Sequence, residues 1–139
     1  MKIRNLKKEP MKTEAEEKAL TDIWMTLRFT YGIIPIAAGL DKFTDLLTKW
    51  DNYLSPVVAG IIPFEVHTFM MAVGVIEMII GIIVLTRPRI GGYVVMTWFL
   101  CIILNLLTSG DYLDIAIRDL AMAIGAFSLA KLSTIITHS

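Results

Sequence analysis

Residues 66–108 read VHTFMMAVGVIEMIIGIIVLTRPRIGGYVVMTWFLCIILNLLT. Two apolar stretches are separated by Arg87-Pro88-Arg89, and each is close to the roughly 20 residues that carry a helix across a hydrocarbon layer. Proline removes a backbone donor and flanking arginines resist burial, so the RPR triplet reads as a turn between two antiparallel membrane helices. Working outward, Ser109-Gly110-Asp111 makes a second tight turn into an apolar stretch at about 112–132. On the other side an apolar stretch at about 22–43 precedes a long connection. The expected fold is all-α, a four-helix membrane bundle with spans near 22–43, 66–86, 90–108 and 112–132.

Composition agrees. Of 139 residues, 55% are hydrophobic, and the mean hydropathy is +0.65, more apolar than a soluble domain. Thirteen basic and thirteen acidic residues cancel, which gives no support to nucleic-acid binding. The charges crowd into the first 22 residues and vanish between Ile90 and Gly110. Residues 1–20 read as a polar tail that becomes helical toward Glu14–Ala19, too long and too acidic for a signal peptide. Thr21 and Asp22 are the expected N-terminal caps of the first span, Pro35 is expected to kink it, and residues 133–139 form a short tail.

Between the first two spans, TDLLTKWDNYL (44–54) places Leu46, Leu47, Trp50 and Leu54 near one helical face, as an interfacial amphipathic helix would. VVAGIIPF (57–64) follows as an apolar re-entrant hairpin, so the whole segment should cap one end of the bundle. Lysine and arginine gather at the other end, in the tail, the RPR turn and Lys131, while the cap end has Lys42 and Lys49. That asymmetry places both termini in the cytoplasm of a multi-pass protein, with the bacterial cytoplasmic membrane as the expected location.

Against this apolar background the polar groups inside the spans are conspicuous. An ionisable side chain at a bilayer's centre costs about 2.5–3.5 kcal/mol, so such groups face the bundle interior and pair or bind something. They are Arg28 in the first span, Glu77 in the second, Asn105 in the third, and Asp114, Arg118 and Asp119 in the fourth, with Lys42 at the end of the first and Trp98 on the inner stripe of the third. Depth counted along helices puts Arg28 about 9 Å and Glu77 about 13 Å from the cytoplasmic end, which predicts an Arg28–Glu77 ion pair. Asn105, Asp114, Arg118, Asp119 and Lys42 then form a second group beneath the cap, with Asp114 and Arg118 in the favoured acid-before-base spacing. Glycines on the same stripes, Gly32, Gly39, Gly74, Gly81, Gly91 and Gly125, allow close approach of the helices. Two readings stand side by side: ion pairs that fasten the helices, or a charged pocket for a head group, an anion or a proton.

No metal site is expected, because His67 and His138 lie far apart and Cys101 is the only cysteine, which also excludes an intrachain redox pair. A transporter is disfavoured by the small number of spans and the lack of an evident inverted repeat.

The run LRFTYGIIPIAAGLDKF, with Arg28, Gly32, Gly39 and Lys42, resembles the first span of DoxX-type membrane proteins. FMMAVGVIEMIIGIIVL carries that family's glutamate-then-glycine pattern in Glu77 and Gly81, and DYLDIAIRDLAMAIGAFSLAKL resembles its closing helix through Asp114, Arg118, Asp119 and Gly125. The likeness spans roughly Thr21 to Leu132. It implies a four-helix membrane subunit associated with an oxidoreductase or electron-transfer system, like the membrane subunit of a thiosulfate:quinone oxidoreductase. It further implies a quinone as the bound molecule, no covalent cofactor, and a larger membrane complex or homo-oligomer as partner. An accessory role is expected over autonomous catalysis, and the absence of paired cysteines departs from the thiol relay of some related four-helix proteins.

Overall fold

Thr13 opens the first long helix of the computed structural model, which describes residues 13–136. Its hydroxyl accepts from the Glu16 amide (3.2 Å) and its amide donates to the Glu16 carboxylate (2.9 Å), a reciprocal capping box. Helix α1 therefore runs Glu14–Asp41, with three glutamates in its first turn where the helix dipole favours them. This corrects the expected start: Thr21 is not a cap but donates within the helix to the Glu17 carbonyl (2.9 Å). Good helix formers in EAEEKAL carry the helix back to the earlier Thr-x-x-Glu signal. Pro35 lies within α1, which continues past it to Asp41. The polar tail through residue 12, and His138, lie outside the described residues.

A 3-10 turn (Trp50–Tyr53) and a short helix α2 (Pro56–Ile61) follow, then α3 (Val66–Thr86), α4 (Pro88–Ser109) and α5 (Leu113–Ile136). There is no strand among the described residues, and α1, α3, α4 and α5 are each long and apolar enough to cross a membrane. The chain is an all-α four-helix bundle with the character of a multi-pass membrane protein. Gly110, at φ +78°, ends α4 in the left-handed conformation that glycine adopts without strain, its amide donating to the Leu106 carbonyl (3.0 Å).

Helix packing follows the glycines. Gly32 lies against Gly81, and Gly39 against Gly74; a Cβ added at Gly74 would sit 2.5 Å from the Gly39 carbonyl oxygen. Gly92 meets Ala126 and Ala130 across the α4–α5 interface. The bundle is accordingly two tight antiparallel pairs, α1 with α3 and α4 with α5, joined along two sparser seams. At the end of the bundle near the termini the seams are well closed. Gly91 abuts the Val84 backbone on one, and on the other Trp24 donates to the Ser133 hydroxyl (2.8 Å) and Tyr31 to the Met122 carbonyl (2.7 Å). Tyr31, Ile80, Val84, Val95, Ala126 and Leu129 form the buried core there. Leucine, isoleucine and phenylalanine side chains cover the outside, as Ile34, Ile82 and Ile117 do, suited to lipid.

The connection 44–64 is less helical than its leucine spacing suggests. Only Trp50–Tyr53 and Pro56–Ile61 are helical, and Leu46 and Leu47 are 84% and 76% exposed instead of lying on the inner face of a helix. The cause is Asp41. Its carboxylate accepts from the Leu46 amide (2.9 Å), the Leu47 amide (3.1 Å), the Thr44 hydroxyl (3.2 Å) and the Trp50 indole (2.7 Å), and Asp45 turns the chain with φ +52°. A side chain that binds this many local donors competes with helix formation. Ser55 then caps α2, accepting from the Val57 amide (3.2 Å).

Candidate functional site

Between the two helix pairs, in the half of the bundle nearer the cap, lies a cavity of about 640 Å³. Its walls are mostly apolar, from Ile34, Met70, Val73, Ile80, Phe99 and Met122 among others, and its polar lining includes Lys42, Glu77, Trp98, Asn105 and Asp119. Lys42 Nζ lies 2.7 Å from Glu77 Oε2, and both side chains are at most 9% exposed. The other carboxylate oxygen, Oε1, accepts from the Trp98 indole at 3.2 Å. The Trp50 ring covers the Lys42 ammonium at 3.7 Å, and its own N–H is held by Asp41. Asp41, Trp50, Lys42, Glu77 and Trp98 thus form one chain of contacts from the cap to α4.

The expected Arg28–Glu77 pair does not form. The glycine contacts set the α1–α3 register: Arg28 falls level with Leu85, eight residues from Glu77, or about 12 Å along the helix. Side-chain direction widens the gap. A Cα–Cβ bond tilts toward its helix N-terminus, so on antiparallel helices Arg28 leans toward the termini and Glu77 toward the cap. Lys42, near the C-terminal end of α1, leans inward toward Glu77, and two long side chains meet. Arg28 instead donates through Nε (2.9 Å) and Nη2 to the Leu85 carbonyl, and stacks at 5.1 Å from the Trp24 ring. Leu85 is in the last turn of α3, where carbonyls lack helical partners, so Arg28 serves as a C-terminal cap and does not line the cavity.

The group expected beneath the cap also divides. Lys42 leaves it for Glu77. Asn105 holds the cap down: its Oδ1 accepts from the Ser55 amide (2.9 Å) and its Nδ2 donates to the Tyr53 carbonyl (2.8 Å). The Thr108 hydroxyl donates to the Ser55 hydroxyl (2.8 Å) alongside. Asp119 lines the cavity from α5. Asp114, five residues before it, and Arg118, one residue before it, are exposed and form no ion pair with each other. A step of about 100° per residue turns Arg118 outward when Asp119 faces in. His67, at the start of α3, places Nδ1 3.5 Å from Asp51 Oδ1 of the cap and takes no part in the cavity.

Sequence reasoning placed Trp50 only in the cap and gave Asp41 no role. A signal for the correct pairing was present: Gly32 and Gly39 are seven apart, as are Gly74 and Gly81, and matching them antiparallel sets the register that excludes Arg28. Among the described residues no group of three or more His, Cys, Asp or Glu side chains is arranged to hold a metal. The sequence matches no protein-family model, and no curated protein or solved structure matches it significantly.

Proposed function

We propose that this chain is a DoxX-like membrane subunit that binds a quinone, or a similar small lipophile, in the cavity beneath its cap and serves an oxidoreductase or electron-transfer system. The observation that carries the reading is an apolar cavity of about 640 Å³ with a few convergent polar groups, the size and chemistry of a small-molecule site. An ammonium has three donors. Lys42 uses one on Glu77 and turns a face to Trp50, which leaves it able to bind a ligand's carbonyl oxygen. Asp119 supplies an acceptor, or a proton, from the opposite helix pair. In this reading both termini are cytoplasmic in a bacterial inner membrane, and the apolar outer faces meet lipid and a larger complex or further copies of the chain. The site-level experiment is gentle extraction from native membranes, analysis of bound lipophiles, and titration with decylubiquinone followed by quenching of tryptophan fluorescence. Saturable quenching that Lys42→Met weakens at least tenfold is expected. No stoichiometric lipophile and no saturable quenching would refute the reading.

A second reading has its own observation: Glu77 is satisfied at both oxygens by Lys42 and Trp98, as a structural fastener would be. In that case the chain is a non-catalytic assembly subunit. Replacing a buried pair by apolar residues of similar volume is often neutral for stability. The double variant Lys42→Met/Glu77→Leu separates the two. A folded protein that no longer binds decylubiquinone makes the pair part of a ligand site, one that binds as before makes the pair a fastener beside the site, and a wild type that binds none supports the assembly subunit.

A further inference from the structure

The cavity does not end at an unbroken wall on the α3–α4 side. A second apolar hollow, a groove of about 560 Å³, lies along that seam, and Ile80, Trp98 and Cys101 line both spaces. The indole of Trp98 is therefore a partition between them, held to Glu77 Oε1 by its N–H at 3.2 Å. The rest of the groove, including Ile76, Ile90, Tyr93 and Thr97, carries no charge. Ile76, Ile90 and Tyr93 are 43%, 52% and 37% exposed, so the groove opens on the apolar outer surface that faces lipid. The α1–α5 seam also reaches the cavity, through Thr30 and Ile34, but it carries Asp119.

We propose that the ligand of the cavity is an uncharged lipophile taken directly from the bilayer through the α3–α4 groove, with Trp98 as the gate. The inference rests on the reading that the cavity binds a ligand. A charged head group would have to shed its water to pass a lipid-facing groove that offers it no counter-charge, which makes either sign costly. Close backbone contact pins α3 to α4 where Gly91 meets Val84, two turns from Trp98, toward the termini. When the indole swings out, Glu77 Oε1 gives up its donor only for the moment of passage, and a carbonyl of the entered ligand can accept from Lys42. Trp98 is a gating residue in this scheme, and its return to Glu77 Oε1 closes the groove behind the ligand.

The test uses the full chain in phosphatidylcholine vesicles, with decylubiquinone as the probe and stopped-flow quenching of tryptophan fluorescence as the readout. Thr97 lines the groove but not the cavity. Thr97→Phe should slow association at least fivefold and leave the equilibrium Kd within twofold of wild type, whereas Ile117→Phe, on the outer face of α5 and lining neither space, should not slow it. Alkylation of the exposed Cys101 with N-ethylmaleimide, applied to protein already folded, should slow association as well. Laurate and dodecyltrimethylammonium should both fail to compete. Binding with an association rate unaffected by Thr97→Phe, or slowed equally by Ile117→Phe, overturns the groove as entrance while leaving the ligand site intact. Competition by either charged amphiphile overturns the uncharged class. Absence of decylubiquinone binding in wild type overturns the underlying reading, and this inference with it.

Discussion

Glu77 is the residue on which the interior turns, because Lys42, Trp98 and the cavity all meet at its carboxylate. Removing one member of a buried pair leaves the other charge uncompensated, at about 3–5 kcal/mol. Glu77→Leu should therefore destabilise the detergent-solubilised protein by about that amount in a reversible unfolding titration. Adding Lys42→Met should restore most of the loss, and a double variant no more stable than the single would show that the pair is not the source of the effect. At this scale the sequence singled out the polar residues that are costly in a membrane span and was poor at pairing them. Glu77 and Lys42 stand out as costly groups in or beside apolar spans. Their partnership depends on helix register and on the tilt of two Cα–Cβ bonds, and counting depth alone favoured Arg28, which the α3 C-terminus claims instead.

The helices were the most legible elements, since span length and the RPR and SGD turns are composition-level signals that packing does not alter. The glycine stripes were legible too, and they make a sharp contrast. A Cβ at Gly39 would overlap the Gly74 carbonyl oxygen, which is backbone and has no rotamer to escape into, whereas a Cβ at Gly60 in α2 would meet nothing within 4 Å. Gly39→Leu should thus push α1 off α3 and abolish recovery of monodisperse protein. Gly60→Ala should be tolerated or stabilise by up to about 1 kcal/mol, the helix preference of alanine over glycine. Comparing yield and thermal midpoint for the two variants checks the claim, and a well-folded Gly39→Leu protein would contradict the close α1–α3 packing. The cap was the least legible element. Its leucine periodicity is real, but the Asp41 carboxylate collects the local amides and the Trp50 indole, and no hydrophobic pattern records that competition.

Taken whole, the molecule is a pair of pairs with a cap over one end of the cavity, which Trp50, Tyr53, Leu54 and Val58 of the cap help to line. α1 and α3 hold each other through glycines, as α4 and α5 do through Gly92 and two alanines. The cap reaches α4 through Asn105, which binds the Ser55 amide and the Tyr53 carbonyl at once. Each such hydrogen bond contributes about 1 kcal/mol net, so Asn105→Ala should lower the free energy of cap opening by about 2 kcal/mol, a roughly 30-fold shift. Hydrogen exchange reads this directly: the Ser55 and Ala59 amides should exchange roughly 30-fold faster, while amides in the paired midsections of α3 and α5 keep their protection. The distribution of the effect is the informative part. Acceleration confined to the cap would show that lid and bundle are separate cooperative units, so a ligand could be released at the cap while the seams stay shut. Acceleration spread through α4 and α5 would mean that the lid is part of the bundle's stability, which would leave the lateral seam as the way in and out.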